Sequence, residues 1–593
     1  MDQKNLILAI ALSIGILLTF NLLVKPNAPV PTAQAPQSQT VPLPPTAGPS
    51  AAGQSVTAGP PGEAAAPAAP RGPAPRLQVQ GPRVQGSLNL RGAMLDTLEL
   101  NGYRETLSPT SPLVQLFAPR ESAHGYFAQW GWSAGDGRTR VPDGNTEWTA
   151  SAQRLAPDSP VTLTWDNGQG QVFSIALTID QHYMVAVAQN VRNNAETPIQ
   201  VLPWARIRRE QTPELSGFYI LHEGFIGVLD GRLQEWSYSS AKSEAGKRPG
   251  NPAYEITSSA GGWAGITDKY WLAALIPARD TAMRTAFRHV SEGGRDRWQA
   301  DLAAAAPQDV AAGASAGIAT RLFAGAKEVA VLDLYERTLG ITDFDKAVDF
   351  GWFYFLTKPF FYAIDYLFTL FGNFGVAIMV FTLGIKILFF PLQNKAYKSM
   401  AKMKMVGPKL QEIKERHPDD PRKVQAEMMA LYKAEKINPV SGCLPILIQI
   451  PVFFALYKVL FVTIEMRQAP FIGWIRDLSA PDPTNLFNLF GLLPYDPTQL
   501  STFLHLPAWA LFMGVTMYVQ QKLNPQPTDP IQAKLFTYMP ILFTFMLASM
   551  PAGLVVYWTW NNLLSIAQQA WITRRELTDR MAQRKNVAVA KKG

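Results

Sequence analysis

Lys386 carries the only charge in a run of about nineteen almost wholly apolar residues, Phe374 to Leu392, and Thr382 precedes it by one helical turn. A helix needs ~20 apolar residues to cross a hydrocarbon core, so this run has the length of a span with a cation inside it. A cation near the bilayer centre costs at least ~2.5 to 3.5 kcal/mol, which is why such charges face a carboxylate, a polar cavity or the interface. Four further apolar runs, at 443–461, 507–521, 535–550 and 553–572, contain no Asp or Glu. Water or a passing substrate is therefore the expected partner of Lys386. The alternative is snorkelling, because Lys386 lies about six residues from the end of its run, roughly 9 Å along a helix, and a lysine stem covers part of that distance.

Thr382 and Lys386 share a helix face by their i, i+4 spacing. The apolar runs also hold Gln449, Tyr557, Asn561, Asn562, Gln568 and Gln569. Isolated groups of this kind often bond helix to helix, at about 0.6 kcal/mol on average. Together with a carboxylate-free lysine they predict a wet groove. There is no Walker A sequence, no H-E-x-x-H and no G-x-S-x-G, so no bound nucleotide, no catalytic residue, no cofactor and no metal are expected. His222-Glu223 and Asp268-Lys269 are the residues one would nominate for chemistry in the polar half, but they sit in no recognised motif; a binding cleft there stays open. The single cysteine, Cys443, excludes an intrachain disulfide and a multi-cysteine metal site.

The elements that must position these residues follow from the length of 593 and from two unlike halves, soluble in character over 26–340 and membrane-like over 350–573. Leu6 to Val24 reads as an N-terminal transmembrane anchor within 1–25. Ala33-Gln34-Ala35 resembles a cleavage tripeptide, yet the apolar run exceeds a signal h-region, so the anchor is expected to stay uncleaved. Residues 26–82, rich in Pro and Ala, read as a disordered tether. Over 83–340 the period becomes two: Val161 to Trp165, the turn Asp166-Asn-Gly-Gln-Gly170 and Gln171 to Ile179 form a hairpin signature, and strands are expected at Ser87–Leu100, Met184–Val191, Phe218–Leu229 and Tyr270–Ile276 of a large antiparallel β-sandwich. Over 341–372, Phe344, Val348, Trp352 and Phe355 recur at helical spacing, which suits an interfacial amphipathic helix or one packed on the sandwich. Residues 373–573 form the helical core, with a tight hairpin at Met550-Pro-Ala-Gly553, and 463–506 reads as re-entrant or interfacial.

Segment 395–438 reads as a helical hairpin. Met403, Val406, Leu410 and Ile413 make one stripe, His417-Pro-Asp-Asp-Pro421 breaks the helix, and Val424, Met428 and Leu431 answer it. Its many lysines, and the basic tail 574–593, place both on the cytoplasmic side, giving six spans with the β region outside. The hairpin either packs on itself or docks ribosomal RNA or an emerging chain, since basic faces bind phosphate and methionines adapt to varied partners.

Lys398-Ser-Met-Ala-Lys-Met403, Met428-Met-Ala-Leu-Tyr-Lys-Ala-Glu-Lys-Ile-Asn-Pro439, Gly442-Cys443, Ile448-Gln-Ile-Pro451, Glu465-Met-Arg-Gln-Ala-Pro470, Asp477-Leu-Ser479 and Met550-Pro-Ala-Gly-Leu554 resemble the signatures of the YidC membrane protein insertase family in its Gram-negative form. The resemblance covers most of 1–580. It implies a multi-domain membrane protein: an α-helical bundle core of five transmembrane helices plus the N-terminal anchor, a cytoplasmic helical hairpin, and a periplasmic all-β supersandwich similar to sugar-mutarotase folds. It further implies a hydrophilic groove open to cytoplasm and lipid. Thr382, Gln449, Phe453 and Tyr557 stand where groove residues of the family stand, and Trp558 where an aromatic is usual. The family's central arginine falls on Lys386, which keeps the charge and loses the planar fork. The implied function is a non-enzymatic insertase and chaperone of the bacterial inner membrane, acting on nascent membrane proteins alone or beside the Sec translocon, with the ribosome met by the hairpin and the C-terminal tail. A secondary transporter would favour intramembrane carboxylates and an internal repeat, neither of which the sequence holds; a carbohydrate-binding domain on a multi-span anchor is the other alternative.

Overall fold

The computed structural model describes residues 74–590, apart from 217–220, 249–250, 259–260, 280, 419, 436–443, 502–503 and 525–529. The expected anchor at 1–25, most of the 26–82 tether, Cys443 and the last residues of the basic tail lie outside the described residues. Residues 402–439 form a unit of their own, and the strands and remaining helices form another.

The period-two region folds into two sheets of eleven and nine strands among the described residues. The sheets share one apolar core that includes Phe173, Phe225, Trp263, Phe287 and Phe323. Strands Val161–Asp166 and Gln171–Ile179 pair as the hairpin the sequence announces, with Asp166 opposite Val172. The connection turns through Gly168 and Gly170 at φ of 73° and 93°, a region that side chains with a Cβ avoid. Two expectations need correction. Ser87–Leu100 is not one strand but two, Val84–Asn89 and Met94–Arg104, paired across a turn at Gly92 and Ala93. The first strand, Arg76–Gln80, lies inside the stretch expected as tether, because Leu77 and Val79 alternate with polar residues and both point into the core at 1% exposure.

The residues nominated for chemistry in this region all have structural partners. Asp268 holds Arg209 through two bonds of 2.7 Å. His222 Nε2 lies 2.8 Å from the Phe225 carbonyl, and the Glu223 carboxylate accepts from the Ser216 N–H and hydroxyl.

The single amphipathic helix expected over 341–372 is two pieces. Phe344 and Val348 are buried at 0% and 2%, with Phe344 edge-on to Trp263 and Phe323 in the β core. Only a short turn of helix, Phe344–Ala347, forms there. The chain then breaks at Gly351, φ 70°, and a helix proper runs from Tyr354 to Phe371, with Trp352 exposed just before it and Phe355 exposed in its first turn. The helical stripe thus serves two neighbours rather than one interface.

Beyond it come helices Phe374–Leu388, Phe390–Arg416, Pro421–Ala434, Leu444–Val462, Ala508–Leu523, Pro530–Leu547 and Ala552–Ala590. The run Phe374–Leu392 is not one straight span, as expected, but breaks at Phe389, with a bend of 70° between the two helices. Pro391 sits in the first turn of the second helix, where a missing N–H is tolerated. Among the described residues no single helix is long and apolar enough to cross a hydrocarbon core; this bent pair passes when counted together. In the separate hairpin unit, Val406 and Leu410 are buried against Met403, Met428, Leu431 and Tyr432, and Asp420 caps the second helix by accepting the Lys423 N–H at 3.1 Å.

The β region is bolted to the helices by specific polar contacts. Asp349 pairs with Lys458 of helix Leu444–Val462 at 2.8 Å. Arg467 donates to the Arg104 carbonyl at 2.7 Å, and the Lys269 ammonium sits 3.8 Å from the Phe461 ring centre. Glu465 Oε1 accepts the Val329 N–H at 3.0 Å, while its Oε2 is buried without a partner. Burial, with Glu328 nearby, pushes the Glu465 carboxyl up to about 8. An unfolded glutamate titrates near ~4.3, so between these values the folded protein binds the extra proton and stability falls as pH rises. Thermal unfolding in detergent should therefore show a loss of stability from about pH 5 to about pH 8 that Glu465→Gln flattens; equal slopes in both proteins would remove Glu465 as its source.

Candidate functional site

Lys386 lies on the face of helix Phe374–Leu388 turned toward helix Ala552–Ala590, and is 8% exposed. It does not reach along its own helix toward the interface. Its ammonium instead crosses to the Ser565 hydroxyl at 2.7 Å, and Ser565 donates in turn to the Asn561 carbonyl at 2.7 Å. The geometry thus replaces snorkelling with a neutral side-chain acceptor, and leaves two ammonium N–H groups for the water or substrate expected as partner. Ser565 gives no sign of itself in the sequence: it is a small residue in an apolar run, and only its position four residues after Asn561 places it on the polar face.

Four of the expected groove residues come together. Thr382, Lys386, Gln449 and Tyr557 line one cleft, joined by Gln393 and Asn561. About 20 Å³ is open to a water-sized molecule, room for about one water. Phe453 and Trp558 stand beside the cleft rather than in its lining, edge to face at 4.7 Å, with Phe543 5.8 Å from Trp558. Thr382 donates to the Ile378 carbonyl of its own helix at 2.6 Å, so only its oxygen lone pairs remain for the cleft. Gln393 belongs to the helix after the bend, and its part in the cleft follows from the 70° turn, which the sequence reading lacked.

The polar residues of helix Ala552–Ala590 divide by function. Asn562 donates to Thr516 at 3.2 Å, and Gln569 donates to the Leu523 carbonyl at 3.2 Å and to Asn524 at 3.0 Å. These groups clamp the helix to helix Ala508–Leu523. Asn561 Nδ2 and Gln393 Oε1 are buried beside Lys386 with no hydrogen-bond partner. A donor and an acceptor that no described residue satisfies therefore face one small cleft beside the ammonium, at about 1–3 kcal/mol for each unmet group. Lys458, passed over in the sequence reading, is a second cation in an apolar run, but Asp349 pairs with it.

Protein-family profiles match two parts of the chain, the YidC periplasmic domain over residues 76–363 and the 60Kd inner membrane protein family over 366–579. The sequence is 52% identical over 575 residues to the membrane protein insertase YidC of Granulibacter bethesdensis, covering 97% of this chain and 98% of that protein. It is 47% identical over 587 residues to the YidC insertase of Rhizobium meliloti, covering 97% and 96%. Among solved structures, an active YidC insertase aligns over 83% of this chain and 92% of that one, at 16% identity and a TM-score of 0.34. A galactose mutarotase related enzyme from Lactobacillus acidophilus aligns over 42% and 97%, at 8% identity and a TM-score of 0.29.

The bond between Lys386 and Ser565 has a measurable signature. Ser565→Ala leaves a buried ammonium unpaired and should lower stability in detergent by about 1–3 kcal/mol. In a Lys386→Met background the same change should cost little, because the charge that needed the hydroxyl is gone. Equal losses in the two backgrounds would show that Ser565 acts through packing alone.

Proposed function

We propose, because the chain belongs to the YidC family of membrane protein insertases, that a nascent membrane helix enters this protein through the cleft centred on Lys386. The protein is a non-enzymatic insertase of the inner membrane, with a β-rich periplasmic domain and a helical C-terminal region. In the proposed route, Lys386, Thr382, Gln449 and Tyr557 receive the short polar or acidic tail of the incoming chain, and Phe453 and Trp558 meet its apolar part. The observation that carries this reading is the buried ammonium held, among the described residues, by one hydroxyl, with Gln393 Oε1 and Asn561 Nδ2 unpaired beside it. A carboxylate competes well for that ammonium, because charge-assisted hydrogen bonds are roughly twice as strong as neutral ones. Lysine offers a single point charge rather than a planar fork, so the recognition is of charge and hydration, not of bidentate geometry.

Once the tail is engaged, the substrate helix slides sideways into lipid, driven by its own apolar transfer. An inside-negative potential adds ~2.3 kcal/mol per charge per 100 mV for outward movement of an acidic tail. The proposed arrangement has an anchor at 1–25, a tether leading to the β domain outside, five core spans, and the hairpin 395–438 and tail 574–593 inside. The basic surface of the hairpin and the tail is then available to the ribosome, and the core to the Sec translocon.

Two experiments test this reading. Insertion of one short-tailed substrate, in acidic and neutralised versions, is compared across Lys386 variants at matched expression. Lys386→Arg should retain insertion. Lys386→Ala should slow the acidic version about tenfold, the equivalent of one charge-assisted bond of about 1.5 kcal/mol, and spare the neutral one. Unchanged insertion of the acidic version by Lys386→Ala would leave cleft shape and hydration as the whole mechanism. For topology, Ser399→Cys and Ala312→Cys, each with Cys443 replaced, should react with impermeant thiol reagents from opposite faces of the membrane; reaction from one face would sink the arrangement.

A further inference from the structure

Between helices Leu444–Val462 and Ala508–Leu523 the chain makes a closed loop whose surface is unlike that of a water-exposed connection. The Leu486 N–H donates to the Leu506 carbonyl at 2.9 Å, and Asn485 Nδ2 donates to the Leu504 carbonyl at 2.7 Å, so the two ends are pinned together. The same base caps the following helix: Thr484 Oγ1 accepts the Ala508 N–H at 2.9 Å, and Asp482 accepts the Trp509 N–H at 3.1 Å. Beyond the pinned base, Leu486 to Tyr495 holds no charged residue. Phe487, Leu489, Phe490, Leu492, Leu493 and Leu500 are all exposed, Leu492 and Leu500 at 82% and 80%.

The polar groups of this tip are turned inward. Asn488 is the hub: its Oδ1 accepts the Gly491 N–H at 2.9 Å, its carbonyl accepts the Leu493 N–H at 3.1 Å, and its Nδ2 donates to the Tyr495 carbonyl at 3.3 Å. The Tyr495 hydroxyl donates back to the Phe487 carbonyl. From Phe490 to Tyr495 every backbone N–H that exists donates within the loop. Leu489 and Phe490 hold φ of 53° and 58°, a left-handed conformation that side chains with a Cβ adopt only where surrounding structure enforces it. Apolar side chains outside and satisfied backbone inside is the arrangement that an apolar solvent demands and water does not.

We propose that residues 486–500 form a membrane-dipping wedge, seated among the acyl chains of the leaflet on the β-domain side. Lipid, rather than a protein partner, is favoured by continuity with the neighbouring helix, whose outer face exposes Phe512 and Val515 at 51% and 62%. It is also favoured by length. Helix Ala508–Leu523 has 16 residues, about 24 Å at 1.5 Å per residue, against a hydrocarbon core of about 30 Å. An apolar tip fixed at the N-terminus of that helix makes up the shortfall. Its one charged residue, the exposed Asp496, accepts the Thr498 N–H at 2.9 Å and the Thr498 hydroxyl at 2.7 Å and is anionic, so the segment offers no attraction to anionic headgroups, and the uncharged tip 486–495 selects acyl chains.

The test places an environment-sensitive fluorophore on Leu492→Cys, and separately on Leu500→Cys, in full-length protein with Cys443 replaced. Each is reconstituted in phosphatidylcholine vesicles with and without phosphatidylglycerol. Both sites should emit as in an apolar medium and lose about half or more of their emission to lipids carrying nitroxides on the acyl chain, equally in the two lipid mixtures. Water-like emission would overturn the proposal. Apolar emission that acyl-chain nitroxides leave untouched would also overturn it, by showing that protein covers the tip. Quenching that appears only with phosphatidylglycerol would replace the acyl-chain wedge with a headgroup contact.

Discussion

A lysine ammonium buried among apolar helices needs acceptors, and the choice of acceptor decides what the site can do. A carboxylate at hydrogen-bond distance would neutralise it, and breaking such a buried pair typically costs 3–5 kcal/mol. Ser565 is a weaker choice: it holds the ammonium at 2.7 Å and leaves the positive charge uncompensated. The charge therefore remains available to a ligand that brings its own negative group. The bend at Phe389, the packing of helix Ala552–Ala590 and the inward face of Gln449 all converge on keeping that one cation enclosed yet unneutralised.

Other cations near the helices are matched away from the cleft among the described residues. Lys458 is matched by Asp349. Lys358 is shared between Asp333 and Asp345. Lys269 lies over the Phe461 ring, a contact favourable to a cation. Each of these ties the β domain or its connection to the helices, so the same contacts that fix the two parts of this unit also remove competing charges. Among the described residues the cleft is left with a single cation.

Much of this was legible in the sequence, for identifiable reasons. Period-two alternation around Asn167-Gly168 marked the hairpin, and an apolar run with one cation marked Lys386, because both signals are local. What failed was not local. Phe344 and Val348 have helical spacing but answer to Trp263 and Phe323 of a distant sheet, so one predicted helix became a buried turn and a separate helix. The bend after Leu388 is a single-residue break in an otherwise uniform apolar run. Gln393 enters the cleft only because of that bend, and Ser565 meets Lys386 only because a helix some 180 residues later packs there; composition carries no trace of either. The early strand Arg76–Gln80 was hidden by its surroundings: two apolar residues in a Pro- and Ala-rich stretch look like tether until Leu88 and Gly86 pair with them.

The division among the polar residues of helix Ala552–Ala590 explains how a polar cleft survives among apolar helices. Asn562 and Gln569 fix one side of the helix against Thr516 and Asn524, and Trp560 Nε1 donates to the Met379 carbonyl at 3.0 Å, fixing it against the lysine helix. Bonds of this kind contribute about 0.6 kcal/mol each on average in a membrane, modest singly but directional. They set the rotation of the helix, and with it the direction of Asn561 and Ser565. Were Asn561 free to turn, its amide would find a partner and the cleft would close on itself. A helix clamped on two sides can hold an unsatisfied amide toward Lys386, and in the proposed route that unsatisfied state is what a polar substrate segment would relieve.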